Sequence, residues 1–143
     1  MVHLEKIDKT NWRLGLRVSD CQKHFVSDSP GILARAFAYR ENRSRAYVIY
    51  DEEIPVGMVM YYDCDELDAF DLSQMFIDER YQGKGYGAAA MRLVLAQMRQ
   101  DKKYPKVCLC YIEGNTAAKN LYEKFGFVQC DQDEDEIIME LTL

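Results

Sequence analysis

Ile77-Asp78-Glu79-Arg80-Tyr81-Gln82-Gly83-Lys84-Gly85-Tyr86-Gly87-Ala88-Ala89-Ala90-Met91 runs from a hydrophobic strand through a glycine-spaced turn into a helix, and the rest of the chain reads around it. Glycine at 83, 85 and 87 lets the backbone turn tightly and clears side chains from in front of its N–H groups. A helix that begins near Gly85 aims the positive end of its dipole at the same place. Bare amides and a helix N-terminus together make a phosphate cradle. The spacing is neither Gly-x-Gly-x-x-Gly nor Gly-x-x-x-x-Gly-Lys-[Ser/Thr], which weighs against dinucleotides and nucleoside triphosphates. What remains is Gln82-x-x-Gly85-x-Gly87, and without other support a tight connection would explain it as well.

Working outward, Phe70-Asp71-Leu72-Ser73-Gln74-Met75-Phe76-Ile77 reads as the strand that delivers the chain to the turn. Past the turn, Met91, Leu93, Val94, Leu95 and Met98 give a long helix its apolar surface, ending before Lys102-Lys103-Tyr104-Pro105, and residues 106–111 form a further strand. Strand, helix and strand in this order predict a right-handed parallel crossover whose strands open at their C-terminal ends on the glycine turn, where ligands bind. Next comes Glu113-Gly114-Asn115-Thr116-Ala117-Ala118-Lys119-Asn120-Leu121-Tyr122-Glu123-Lys124-Phe125-Gly126-Phe127. Asn115 can cap a helix there, Ala118, Leu121, Tyr122 and Phe125 recur at helical spacing, and Gly126 can stop it.

The two stretches together, in this order and with a strand between them, resemble the two signatures of the GCN5-related N-acetyltransferases. The second matches Asn-x-x-Ala-x-x-Leu-Tyr-x-x-x-Gly-Phe. The likeness is close from Phe70 to Phe127 and rests on element order before that. Within the family, residues 76–85, with Asn11-Trp12 and the Gln-x-x-Phe-Val of residues 22–26, look most like the bacterial spermine/spermidine acetyltransferases. The resemblance implies a single α/β domain: a central mixed, mostly antiparallel sheet of six or seven strands flanked by about four helices.

It also implies acetyl-coenzyme A as cofactor. Backbone groups of Met75, Phe76 and Ile77 would pair with the pantetheine arm as an added strand does, on an edge left open where two parallel strands splay. Amides from Gln82, Gly83, Lys84, Gly85, Tyr86, Gly87 and Ala88 would hold the pyrophosphate. Asn115 would bond the pantetheine arm, and Ala118 is small enough to let it pass. Lys84 and Lys124 either reach phosphates or are solvated. Tyr122 matches the family's general acid, since a phenol with a pKa of about 10 stays protonated at neutral pH. A bulge near Met75–Phe76 is expected to supply an amide to the thioester carbonyl. Where polyamine-acetylating relatives often carry an acid, Ser73 stands here. Asp71, on the same strand face, is the nearest carboxylate, as base through a water or as one part of a relay without a dominant base.

Bulk properties narrow the partners. At 143 residues, with 48% hydrophobic and 29% charged side chains, the chain is expected to bury one core without staples. No apolar leader and no long uncharged apolar run is evident, so a cytoplasmic protein without membrane spans is expected. Five cysteines without Cys-x-x-Cys and only two histidines give no metal or disulfide pattern, and Cys108 and Cys110 read as packing thiols. A net charge of −6 disfavours nucleic acid and favours a polycationic small-molecule amine. Asp63, Asp65, Glu66 and Asp68, just before the reacting strand, are either a solvated turn or carboxylates for that amine's ammonium groups, Asp65 and Glu66 above all, with Asp71 and Ser73 beyond. Oligomeric state is open, a homodimer included.

In the first half, residues 2–7 alternate as a strand, and residues 46–51 and 54–62 form a hairpin about Asp51-Glu52-Glu53. Thr10 is expected to cap a helix carrying Trp12, Leu14, Leu16 and Val18, with Trp12 in the core. Asp28-Ser29-Pro30 opens a second helix through Ile32, Leu33, Ala36 and Phe37.

Overall fold

The computed structural model describes residues 1–23, 25 and 28–143. Its seven strands are β1 (Val2–Lys6), β2 (Arg45–Asp51), β3 (Ile54–Cys64), β4 (Ala69–Ile77), β5 (Lys106–Ile112), β6 (Val128–Asp133) and β7 (Glu136–Thr142). They form one sheet in the order β1-β2-β3-β4-β5-β7-β6. Every neighbouring pair is antiparallel except β4 and β5. Three α-helices serve it: α1 (Ser29–Ala38), α2 (Tyr86–Asp101) and α3 (Thr116–Lys124).

The caps fall where the sequence puts them. Asp28 accepts from the Gly31 amide at 2.8 Å with proline in the first turn of α1, and Asn115 accepts from the Ala118 amide at 3.2 Å to start α3. Such caps contribute about 1 kcal/mol each. Helix α2 lays Ala90, Met91, Val94, Leu95 and Met98, all essentially inaccessible, on Val59, Tyr61, Phe70, Leu72, Val107, Leu109 and Met139. The opposite sheet face carries a second core, in which Ile32 of α1 meets Val48, Met58, Met60, Tyr62 and Phe76.

The first half departs from expectation. No helix forms over residues 11–18, so among the described residues three α-helices rather than four flank the sheet. Leu14, Leu16 and Val18 repeat every second residue, the period of extended chain and not of a helix, and Gly15 sits at φ +70°. Leu16 and Val18 are buried in the α1-side core, while Trp12 is 48% exposed and lies outside it. Thr10 caps no helix; Asp8 closes a turn there instead, accepting from both the Thr10 amide and the Thr10 hydroxyl. The strand bulge also moves. Leu72 pairs with Tyr61 and Gln74 with Met60, which leaves Ser73 as the extra residue, earlier than Met75–Phe76. The Gln-x-x-Phe-Val likeness spans residues 22–26, of which His24 and Val26 lie outside the described residues, as does Ser27.

Among the described residues no helix is long and apolar enough to cross a membrane, and no group of three or more His, Cys, Asp or Glu side chains is arranged to hold a metal ion. All five cysteines are free thiols.

Candidate functional site

The parallel pair that should open on the glycine turn does so after only three rungs. Ala69, Phe70 and Asp71 pair with Lys106, Val107 and Cys108, and there the ladder between β4 and β5 ends. Beyond the bulge, Met75, Phe76 and Ile77 remain paired to Val59, Met58 and Gly57 on the β3 side, so their other edge faces the gap. A Cβ on Gly57 would lie 2.3 Å from the Phe76 carbonyl oxygen; glycine is what allows β3 to lie this close behind the open edge. A cleft of about 310 Å³ fills the gap, lined among others by Met75, Phe76, Ile77, Gln82, Gly83, Gly85, Tyr86, Gly87, Asn115, Ala118 and Tyr122. That volume is in the range of small-ligand sites.

The turn is built as a cradle. Gly83 and Gly85 hold φ of +75° and +85°, and a Cβ on either would meet nothing within 4 Å. Both face open space, in a conformation that L side chains rarely adopt. Gly85 is the N-cap of α2 and supplies no side-chain cap. The first helical bond at this end runs from the Ala89 amide to the Gly85 carbonyl at 3.1 Å. The amides of Tyr86, Gly87 and Ala88 therefore point out of the helix end with its positive dipole. Gln82 closes the turn, its side-chain amide donating to the Ile77 carbonyl at 2.9 Å. The Tyr86 hydroxyl donates to Asp51 at 2.7 Å and ties the helix start to the β2 end. Amides without side chains in front of them, beside an open strand edge, fit a pyrophosphate joined to an extended amide-bearing arm. Lys84 and Ala88 adjoin this cradle without lining the cleft, and the Lys84 ammonium lies 6.0 Å from the Tyr81 ring.

Helix α3 forms the opposite wall. Asn115 uses its Oδ1 for capping, which leaves its Nδ2 amide for a ligand, and Ala118 presents only a methyl group. Tyr122 is half-buried between Tyr111 and Phe127, ring centroids 6.1 and 5.9 Å away. Burial, with a smaller contribution from the Cys110 thiol, pushes its phenol up to about 12. It is a proton donor at any physiological pH.

Asp71 and Ser73 come together on the other sheet face, outside the cleft lining. Asp71 sits at the last rung before the strands part. Burial raises its carboxyl above the usual range, against an opposing hydrogen bond from Tyr62 and the charge of Arg35. Ser73, the bulge residue, accepts from Arg35 at 3.1 Å. The Tyr62 ring is stacked on Tyr39 at 4.1 Å.

Asp65 and Glu66 are not among the residues that line the cleft. They lie in a short 3-10 turn, Asp65–Leu67, before β4, whereas the cleft is at the strand's other end. The strand from Ala69 to Met75, where the cleft lining begins, at roughly 3.3 Å per residue separates them by about 20 Å. Asp63 is 2% exposed and is bound by Arg43 at 2.6 Å, Arg45 at 3.2 Å and Lys103 at 2.8 Å. Asp65 accepts from the Tyr104 hydroxyl. Asp63 and Asp65 are thus engaged by side chains of the fold itself. A different acidic stretch lies in the β6–β7 hairpin, beside the end of β5: Asp131, Asp133, Glu134, Asp135 and Glu136. Glu136 pairs with Ile112 at the end of β5, and the Glu113 amide donates to the Asp135 carbonyl at 2.7 Å. The charge run alone would have flagged it, but which strand end it meets depends on β7 inserting between β5 and β6. Val18, Gln22 and Phe25 also line the cleft unforeseen, because residues 16–25 have no regular pattern to read.

Comparison with known proteins agrees with this fold. A spermine/spermidine N(1)-acetyltransferase of Bacillus subtilis (strain 168) is 36% identical over 85 residues, 55% of this chain and 56% of that enzyme; the match spans little more than half of its length. Among solved structures, an acetyltransferase from Thermus thermophilus superposes with a TM-score of 0.81 at 16% identity, covering 99% of this chain and 97% of that one. A spermidine N-acetyltransferase from Vibrio cholerae, in complex with CoA and spermine, gives 0.76 at 17% identity, covering 99% and 95%. At such identities the structural likeness shows the fold. Residues 11–127 match the Acetyltransferase (GNAT) family, whose acyl donor is acetyl-coenzyme A. The chain belongs to that family.

Proposed function

We propose that the protein transfers the acetyl group of acetyl-coenzyme A to a primary amine of a polyamine such as spermine or spermidine, with Tyr122 as general acid. The observation that carries this reading is the pairing of an open strand edge, Met75 to Ile77, with a phenol kept protonated across the same cleft. Bound there, acetyl-coenzyme A supplies a thioester carbonyl for the amine nitrogen to attack and a thiolate that must take up a proton. Tyr122 donates that proton, and an amide at the open edge of β4 polarises the carbonyl. The amine must arrive uncharged. Asp71, its carboxyl raised by burial, is suited to accept the amine's proton through a water.

Support for a polycation comes from the named relatives and from the acidic β6–β7 hairpin, which lies beside the C-terminal end of β5. One observation favours a second acceptor class. Arg35 at Ser73 puts a cation where polyamine-acetylating relatives often carry an acid, and it would suit an amine that also bears a carboxylate. Release of coenzyme A thiol, followed against spermine, spermidine, a monoamine of similar reach and an amino acid, separates the two. The expected result is the highest kcat/KM for spermine and spermidine. That advantage should shrink with salt, as the screening length falls from about 10 Å at 0.1 M to about 3 Å at 1 M. Equal rates for polyamine and monoamine at every salt concentration, or a preference for the amino acid, would remove the polyamine from the reading.

A further inference from the structure

Asp78 lies directly after the open strand edge and is 0% exposed, yet nothing in the proposed chemistry uses it. Its carboxylate is shared between two segments far apart in sequence. One oxygen accepts from the Arg17 amide at 2.9 Å. The other accepts from the Arg80 amide at 2.9 Å and the Arg80 side chain at 2.8 Å. The neighbouring backbone repeats the join, with the Glu79 amide donating to the Arg17 carbonyl at 2.9 Å and the Arg17 guanidinium to Glu79 at 3.2 Å. At the surface, the Gln82 amide that closes the glycine turn also donates to Gln22 at 2.8 Å.

Residues 16–22 have no helix or sheet ladder beyond a 3-10 turn, Asp20–Gln22. Leu16 and Val18 hold them to the core beneath α1, where the Ser29 hydroxyl also donates to the Leu16 carbonyl at 3.0 Å, and this set of bonds holds them to the turn. Val18 and Gln22 line the cleft together with Asn115, Ala118 and Tyr122. A cleft wall is thus fastened to the turn that would hold the cofactor's pyrophosphate.

We propose that Asp78 is a positioning residue, with Gln82–Gln22 as its surface counterpart, that makes residues 16–22 and the glycine turn move as one body. Filling the turn with acetyl-coenzyme A then fixes the wall and completes the cleft for the acceptor. This rests on the cofactor assignment above and is independent of which amine is acetylated. The carboxylate is needed because both of its oxygens accept from backbone amides. An asparagine in its place would offer one acceptor oxygen and one donor NH2, so one amide would lose its partner.

Hydrogen exchange with and without saturating acetyl-coenzyme A tests it. In the wild type the cofactor should slow exchange at Gly85, Tyr86 and Gly87 and also at Arg17 and Val18, the wall amides by about 5-fold or more, the low end of ordinary coupling between sites. In Asp78→Asn the turn amides should still slow while those of Arg17 and Val18 do not, and KM for the amine should rise more than KM for acetyl-coenzyme A. Equal slowing of wall amides in variant and wild type would overturn the inference. Turn amides that never slow in the wild type would instead overturn the cofactor assignment. If Asp78→Asn does not fold, Gln22→Ala decides: cofactor-dependent slowing should vanish at residue 22 and Lys23 while the turn keeps its own, and unchanged slowing there refutes the coupling.

Discussion

The two ends of β4 are built for opposite purposes. Its first residues, Ala69, Phe70 and Asp71, are paired on both sides, to β3 and to β5. Behind them Asp63 gathers Arg43, Arg45 and Lys103, with Asp101 bridging the two arginines. Its last residues, Met75, Phe76 and Ile77, are paired on one side only and run into a turn whose amides have no side chains before them. At the closed end charged groups satisfy one another and hold the sheet; at the open end the backbone itself is left for a ligand. Charge density in the sequence marks the first end, and glycine spacing marks the second.

The sharpest way to separate the ends by activity is Tyr122→Phe. The ring still packs between Tyr111 and Phe127, the proton donor is gone, and kcat should fall by about 10²–10⁴-fold while acetyl-coenzyme A still raises Tm. A wild-type rate under conditions where chemistry limits would leave Tyr122 a packing residue.

At the closed end the effect should be on stability alone. Asp63→Ala removes a carboxylate that is 3% exposed from between three cations. Breaking a buried pair from one side costs about 3–5 kcal/mol, and the low end applies because Arg43 and Lys103 reach solvent and Asp101 remains. Denaturant unfolding should show that loss with ligand affinity unchanged. A parallel loss of acetyl-coenzyme A affinity would mean the ends are not independent.

Asp71, where closed end meets open, should show a smaller effect with a pH signature. Burial raises its folded-state pKa, so its charged form costs stability that appears as pH rises through the unfolded value and is complete above the folded one. Asp71→Asn should therefore raise Tm at pH 7, leave it unchanged at pH 3, and lower kcat. A variant less stable than the wild type at pH 7 would show the carboxylate to be a structural partner of Tyr62 and Arg35.

The same contrast explains what can be read without coordinates. The segment from Phe70 to Phe127 is legible because its signals are local: glycine spacing, a cap and a stop, apolar residues at helical intervals. The extended segment at Leu14, Leu16 and Val18 misleads because an apolar run beside a capping threonine resembles a helix until its two-residue period is counted. The role of the acidic stretch near Asp65 is not legible at all. Its partners Arg43, Arg45, Lys103 and Tyr104 come from segments that meet only in the fold, and a strand's length decides that it lies at the wrong end. The hairpin carboxylates near Glu136 come beside the end of β5 for a reason equally remote, the insertion of β7 between β5 and β6.

The central claim, that the open end of β4 and the glycine turn form one acetyl-coenzyme A site, is tested most directly by thermal unfolding of the wild type and Gly87→Asp with and without that cofactor. Gly87 is in the first turn of α2 without a positive φ, and a Cβ there would make only ordinary contacts, 3.6 Å to Leu121 and 3.9 Å to Ile77. Aspartate at a helix N-terminus contributes about 0.3–1 kcal/mol, so the unliganded variant should be as stable as the wild type or more so. Its carboxylate would stand where the pyrophosphate belongs. At one hundred times the dissociation constant, acetyl-coenzyme A should add about 2.7 kcal/mol to the wild type and nothing to the variant; the same ligand-induced shift in both proteins would contradict the account.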